Sequence, residues 1–255
     1  METYMESSSV DDRGRGSCVT RQRVRLRCLS CFEGLGRYGL PVEGLASLFD
    51  TEVFSGLREL RLKLSEPLNG QFSHGTREEA CGILRNCTEL QKLDNTWYTV
   101  SGHERAALTR TRRIFNEMMQ DVSLPQLNRI ELSGLAVSES ALTTLFSGCV
   151  RIKCMRLNHI HLDGCFRNVF ECIATKLEDL DELTLGDLFE HKRIEFVALK
   201  SPSQCPSGDT FVTSITRFGR DARNLVAYRV RLAKGKACSV HPHATGGDRL
   251  VYGPP

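Results

Sequence analysis

Apolar residues recur along this chain in a short fixed pattern, L-x-x-L-x-L, and the intervals between its copies carry a different, helical spacing. Three copies are clearest: Leu127-x-x-Ile130-x-Leu132, Ile152-x-x-Met155-x-Leu157 and Leu180-x-x-Leu183-x-Leu185, starting 25 and 28 residues apart. Each is followed at a matched offset by another apolar residue, Leu135, Ile160 and Leu188. Between the first two, Leu142, Leu145, Phe146 and Cys149 stand at i, i+3, i+4 and i+7, the stripe of an amphipathic helix, with Ser138 placed to cap it. Between the second and third, Phe166, Val169, Phe170 and Ile173 repeat that stripe, with Asp163 as the candidate cap. The unit these spacings predict is strand, turn, helix.

Two weaker copies come earlier, Leu57-x-x-Leu60-x-Leu62 and Leu90-x-x-Leu93, and Ala80, Cys81, Ile83, Leu84 and Cys87 give a helix stripe between them, opened by a capping box at Thr76-x-x-Glu79. Their intervals, 33 and 37 residues, exceed the later spacing, so extra chain must loop out around Pro67 to Gly75 and Thr96 to Glu104. Leu225-x-x-Tyr228-x-Val230 is a candidate final strand.

One such unit cannot bury both its strand and its helix stripe, whereas stacked neighbours make a continuous core. The expected fold is therefore α/β, a short solenoid whose curved parallel sheet is followed by an irregular C-terminal region. Alternation along each strand sends the leucines inward and the residues between them to the concave surface. In register, that surface presents a central row of Arg61, Asp94, Glu131, Arg156 and Thr184, flanked by Glu59, Lys63, Lys92, Arg129, Asn158 and Glu182. The row is polar and of mixed sign, which suits a protein partner better than a phosphate backbone.

The stretch LPQLNRIELSGLAVSESALTTLFSGCVRIKCMRLNHIHLDG, with its strand, capped helix and Gly148-Cys149 before the next strand, resembles the ribonuclease-inhibitor-like class of leucine-rich repeat, as does Asn86-Cys87 before Leu90. The intervals lie in or near the 20 to 29 residues of that repeat. In style it is most similar to the repeat regions of fungal F-box and leucine-rich-repeat proteins. That resemblance spans roughly Leu57 to Leu188 and implies the substrate-recruiting part of a ubiquitin-ligase adaptor, with no catalytic residue and no cofactor. Two departures stand out. The asparagine or cysteine such repeats carry after the strand is here Leu135, Ile160 and Leu188. Leu40-Pro41-Val42-Glu43-Gly44-Leu45 with Leu48 and Phe49 is similar to the opening of an F-box, yet the first repeat follows at Leu57, too soon for the remaining helices, as in a truncated relative.

Composition leaves this reading in place. The 255 residues are 40% hydrophobic and 25% charged, enough to build a core. No apolar run approaches the roughly 20 residues of a membrane span, and Met1 to Gly16 lacks the apolar region of a secretory signal. The expectation is an intracellular protein, cytoplasmic or nuclear, whose eleven cysteines are reduced. The Asn86-Cys87-Thr88 sequon then goes unused.

Chemistry-bearing motifs are sparse. Cys28-x-x-Cys31 has the spacing of a metal or redox pair but lacks the second pair a structural zinc site requires. His159-x-His161 and His241-x-His243 have no thiol or carboxylate at helical spacing beside them and read as surface histidines. No nucleophile elbow, P-loop, dinucleotide fingerprint or H-E-x-x-H occurs, so no metal, cofactor or catalytic residue is assigned. Basic residues cluster at Arg21, Arg23, Arg25 and Arg27, an alternation that fits a charge-blunted edge strand, and at Arg105, Arg110, Arg112 and Arg113 before Ile114, Phe115 and Met118. With a formal charge of +3 and no aromatic platforms, nucleic-acid binding through these arginines is the alternative to a protein partner.

After Leu188 the period is lost. Ser201 to Thr210 has the Pro, Ser and Gly density of a loop, and Phe211 to Leu232 carries enough apolar residues to close the end of the array. The expected divisions are an N-terminal segment over 1–20, the repeat array over 21–190, a loop and cap over 191–232 and a tail over 233–255.

Overall fold

The computed structural model describes residues 56–65, 84–98, 112–113, 115–117, 119, 122–197 and 211–230, together with the backbone of short strands at 3–5, 26–31, 40–41 and 251–252. Within the described residues the fold is α/β with a mostly parallel central sheet. Its parallel strands are β2 (Leu26–Cys31), β4 (Glu59–Ser65), β5 (Lys92–Tyr98), β6 (Arg129–Ser133), β8 (Cys154–Asn158) and β10 (Glu182–Gly186), in that spatial order. β1 (Thr3–Met5) lies antiparallel outside β2, β13 (Ser214–Phe218) antiparallel outside β10, and β3 (Leu40–Pro41) pairs with the end of β4. Along the main sheet the strands follow one another in chain order, the arrangement a chain reaches when each successive strand of the sheet returns to pair with the one before it.

The strands are level with one another. Leu60, Leu93, Ile130, Met155 and Leu183 form one continuous row across β4, β5, β6, β8 and β10, and Leu62, Asn95, Leu132, Leu157 and Leu185 form the next. All are buried. Inner and outer positions alternate, because successive side chains of a strand leave on opposite faces. The inner rows pack against α1 (Glu139–Gly148) and α2 (Phe166–Lys176), which contribute Leu142, Leu145 and Phe146, and Phe166, Val169, Phe170 and Ile173. The stripes read from the sequence over 142–149 and 166–173 are thus the buried ones, while that over 80–87 falls largely outside the described residues.

The connections repeat as well. Before each of four strands a turn places the carbonyl of residue i against the amide of i+3: Cys87 with Leu90, Leu124 with Leu127, Cys149 with Ile152 and Leu177 with Leu180. The next two amides then converge on one carbonyl of the preceding strand's entry, as Asn128 and Arg129 do on Gln91 and as Lys153 and Cys154 do on Asn128. After the strand, the chain passes through a left-handed residue at the same offset in three successive units: Gly134 (φ 70°), His159 (φ 51°) and Asp187 (φ 48°). It then continues into β7 (Ala136–Ser138) and β9 (His161–Asp163), which pair in parallel, with Phe189 bridging onto His161. Leu135, Ile160 and Leu188 occupy the position after that turn with their side chains buried. The carbonyls of Leu135 and Ile160 accept from the amides of His161 and Phe189 in the adjacent units, and that of Leu188 from Ile194. A main-chain ladder therefore links the units at this level without polar side chains.

Several local expectations need correction. Ser138 caps α1, its Oγ accepting from the Ala141 amide at 3.1 Å, but Asp163 does not cap α2. The residue before that helix is Cys165, which offers no side-chain cap. Glu139 takes over from the neighbouring helix, its Oε2 accepting from the Cys165 amide at 2.8 Å and its Oε1 from Asn168 Nδ2 at 2.7 Å. A carboxylate at that end also faces the positive pole of the helix. Arg27 belongs to β2, which is flanked by β1 and β4 and is no edge strand. Leu26-x-x-Leu29-x-Cys31 is another copy of the apolar pattern, Leu29 level with Leu60 and Cys31 with Leu62. Leu40-Pro41, the F-box-like opening, is a two-residue strand beside Leu64 and Ser65.

β11 (Ile194–Val197), β12 (Phe211–Val212), β14 (Tyr228–Val230) and β15 (Val251–Tyr252) form a second, antiparallel sheet. Tyr228 to Val230 is thus a strand of that sheet, paired with β11 and not with the main one. Ala222, Val226, Tyr228 and Val230 join the same buried core as the leucine rows. The capping box at Thr76, Arg21 to Arg25, Arg105, Arg110, His241 and His243 lie outside the described residues.

Candidate functional site

The face of the main sheet turned away from the helices is where the sequence put its polar residues, and pairing brings them into three rows. Arg61, Asp94, Glu131, Arg156 and Thr184 are level across β4 to β10, and Thr216 of β13 extends them. Glu59, Lys92, Arg129, Cys154, Glu182 and Phe218 form a second row. Thr96, Ser133, Asn158, Gly186 and Ser214 form the third, with Lys63 level with Thr96. All eleven residues singled out from the sequence therefore lie on one face.

Their charges are arranged so that opposite signs meet both between strands and along them. Lys92 Nζ lies 2.5 Å from Glu59 Oε1, with Arg61 3.9 Å from the same carboxylate's other oxygen. Arg129 reaches Glu131 at 3.9 Å. Arg156 donates to Glu182 Oε1 from both Nε (3.2 Å) and Nη2 (2.8 Å). The Arg156 guanidinium, by that hydrogen bond, holds the Glu182 carboxyl below its usual range. Solvent-exposed pairs of this kind contribute little to stability, about 0 to 1 kcal/mol each, so they set the pattern of the face more than they hold the fold.

Asp94 stands apart. Partial burial pushes its carboxyl above the ordinary 3.8, Glu131 pushes the same way, and Arg61, Lys63 and Arg129 pull it back. An acid raised on folding adds stability below pH 3.8 and loses that contribution as the pH climbs through its folded-state value. At neutral pH the ionised carboxylate opposes folding relative to a neutral isostere. Asp94→Asn should accordingly melt at a higher temperature than the parent at pH 7, with the difference closing below pH 3.8; a parent at least as stable as the variant at pH 7 would contradict the account.

Of the members of the face that were not singled out in the sequence, Cys154 and Phe218 bear on its chemistry. Cys154 is half-buried beside Glu182, and burial, then that carboxylate, raise its thiol, which disfavours the reactive thiolate. Phe218 is 65% exposed, the most exposed large apolar residue among those described. No sequence signal marked it, because in S-I-T-R-F the apolar Phe218 takes the exposed parity of Ser214 and Thr216 while the polar Arg217 takes the buried one.

The other motifs resolve locally. His161 stacks on Phe189 at 4.5 Å and 6°, and His159 meets both rings edge-on. Among the described residues no three His, Cys, Asp or Glu side chains are grouped to hold a metal ion. Arg112 pairs with Asp163 at 2.6 Å and Arg113 with Glu117 at 3.3 Å. The Cys87 thiol of the sequon is buried and pushed up to about 12. No helix is long and apolar enough to cross a membrane among the described residues. No protein-family model matches the chain, and no curated protein matches it.

Proposed function

We propose that this chain is a non-catalytic scaffold, a short leucine-rich-repeat solenoid whose concave strand face recognises another protein. The observation that carries the reading is the in-register polar surface itself. Level rows from successive strands meet leucine rows on one side and a patterned, mixed-charge surface on the other. Asp94 supports it further, because a carboxylate kept where it opposes folding is what a surface selected for recognition retains. Phe218 at the end of the face supplies an aromatic anchor of the kind that dominates interface energetics. The family resemblance adds a role, substrate recruitment for ubiquitin transfer.

The test is a differential capture. Glu131 and Arg156 are neighbours in register, and the double variant Glu131→Arg, Arg156→Glu sets like charges beside Arg129 and Glu182. On an exposed face that costs only a few tenths of a kcal/mol, so the circular-dichroism melt should stay nearly unchanged. Capture of the partner from native lysate should fall by at least about tenfold. Equal capture by parent and double variant removes this face from the function. Cullin-adaptor components in the parent eluate would support the ubiquitin role, and their absence would count against it.

A further inference from the structure

Among the described residues the main sheet ends at β13, with no strand beyond it. β13 bonds to β10 through its odd-numbered residues: the Thr213 carbonyl accepts from the Asp187 amide and the Gly219 amide donates to the Asp181 carbonyl, with Arg217 level with Leu183 and Ile215 with Leu185. Antiparallel pairing alternates, so the amides and carbonyls of Ser214, Thr216 and Phe218 point the other way. No described strand pairs with them. Edge strands are ordinarily blunted by proline, a bulge or a charged side chain; neither proline nor a bulge interrupts Ser214 to Phe218, and its one charged residue, Arg217, is buried and bonded to the Asn224 and Leu225 carbonyls.

Phe218, the last residue of the strand, is 65% exposed, more than any other large apolar residue among those described. The strand is also self-complementary. Turned about a two-fold axis at Thr216, it sets Ser214 against Phe218, Ile215 against Arg217 and Thr216 against itself. No two like charges face each other, and opposed like charges are what most disfavours cross-strand pairs. Arg217 is already held by the Asn224 and Leu225 carbonyls, which leaves its aliphatic stem to cover the incoming isoleucine. Thr184 and Thr216 already share a hydroxyl hydrogen bond at 3.3 Å, so the threonine row would run unbroken across the axis.

We propose that β13 is the contact by which two copies of this chain pair antiparallel about Thr216, continuing the main sheet from one copy into the other. The claim stands on the edge geometry and does not depend on what the polar face binds. A closed two-fold pairing is the arrangement in which such an edge consumes itself without propagating into a fibre.

Sedimentation velocity on the full chain tests it. The parent should sediment as a concentration-dependent dimer. Thr216→Lys and Thr216→Glu, both on the exposed face, should each sediment as monomers with melts close to the parent's, because each opposes like charges across the axis. Mixed in equal amounts at low salt, the two variants should recover the dimer. A parent that is monomeric at its highest soluble concentration overturns the proposal and leaves the edge to a strand from another protein. A dimer unaffected by either single variant overturns it too, by placing the contact elsewhere.

Discussion

Gly134→Ala should lower stability by roughly 3 kcal/mol, one of the larger effects a single methyl group can have. Gly134 has φ 70°, and a Cβ built on it would lie 2.1 Å from the carbonyl oxygen of Trp97. The obstacle is backbone, in the strand next door, and cannot rotate away. The penalty thus combines a left-handed alanine, about 1–2 kcal/mol, with displacement of β5. At 2–4 °C per kcal/mol for a chain of this size, the melting temperature should drop by about 6–12 °C. The same substitution read in reverse is the control. His159 and Asp187 hold the equivalent place in the next two units at φ 51° and 48°, so His159→Gly relieves strain and should change the melt little. A Gly134→Ala protein that melts within a degree of the parent would refute the account.

That contrast explains part of what the sequence could and could not tell. The three residues share a left-handed turn, but glycine is obligatory only where β5 runs on past the end of β6. β5 pairs with β4 over its whole length from Lys92 to Tyr98, while β6 stops at Ser133. Pattern along one strand carries no information about the length of its neighbour, so Gly134 looked no more special than His159.

The polar face was legible for the opposite reason. Alternation along a strand and a repeated spacing between strands are both one-dimensional signals, and together they fix which residues are level. The third leucine of the pattern can be replaced without loss of register, as Cys31 and Asn95 are, and there the reading faltered. Cys28-x-x-Cys31 drew attention as a ligand pair when its leucine spacing was the structural signal. Capping failed at Asp163 because the group that serves α2, Glu139, comes from another helix, 26 residues earlier than the Cys165 amide it binds. Local sequence finds local caps. The C-terminal region was least legible, since antiparallel β13 and the second sheet break the period on which everything before them rests.

Glu190 is the residue on which that region's attachment turns. It is buried, 7% exposed, and its Oε1 accepts from the Phe166 amide at 2.9 Å and from the Tyr228 hydroxyl at 2.8 Å. One acceptor thus joins the first turn of α2 to β14. Burial, and then the Glu190 carboxylate, push the Tyr228 hydroxyl far up, so it remains a donor at any ordinary pH. Removing the acceptor strands the buried Phe166 amide, at about 1–3 kcal/mol when left unpaired, and leaves the Tyr228 hydroxyl the weaker acceptor Cys165 Sγ at 3.4 Å in place of a carboxylate. Glu190→Ala should therefore lose about 3–5 kcal/mol, with hydrogen exchange accelerated across 211–230 well before β6 and β8. Glu190→Gln keeps a carbonyl oxygen in place and gives up only the favourable charge at the helix start, about 1 kcal/mol. Tyr228→Phe, which leaves one of the two bonds intact, should fall between them. If Glu190→Ala exchanged no faster over 211–230 than the parent, the second sheet would have to be held by its remaining contacts, Ile194, Phe196 and Val230 against the Phe170 side of the core and Tyr228 against the Cys165 thiol.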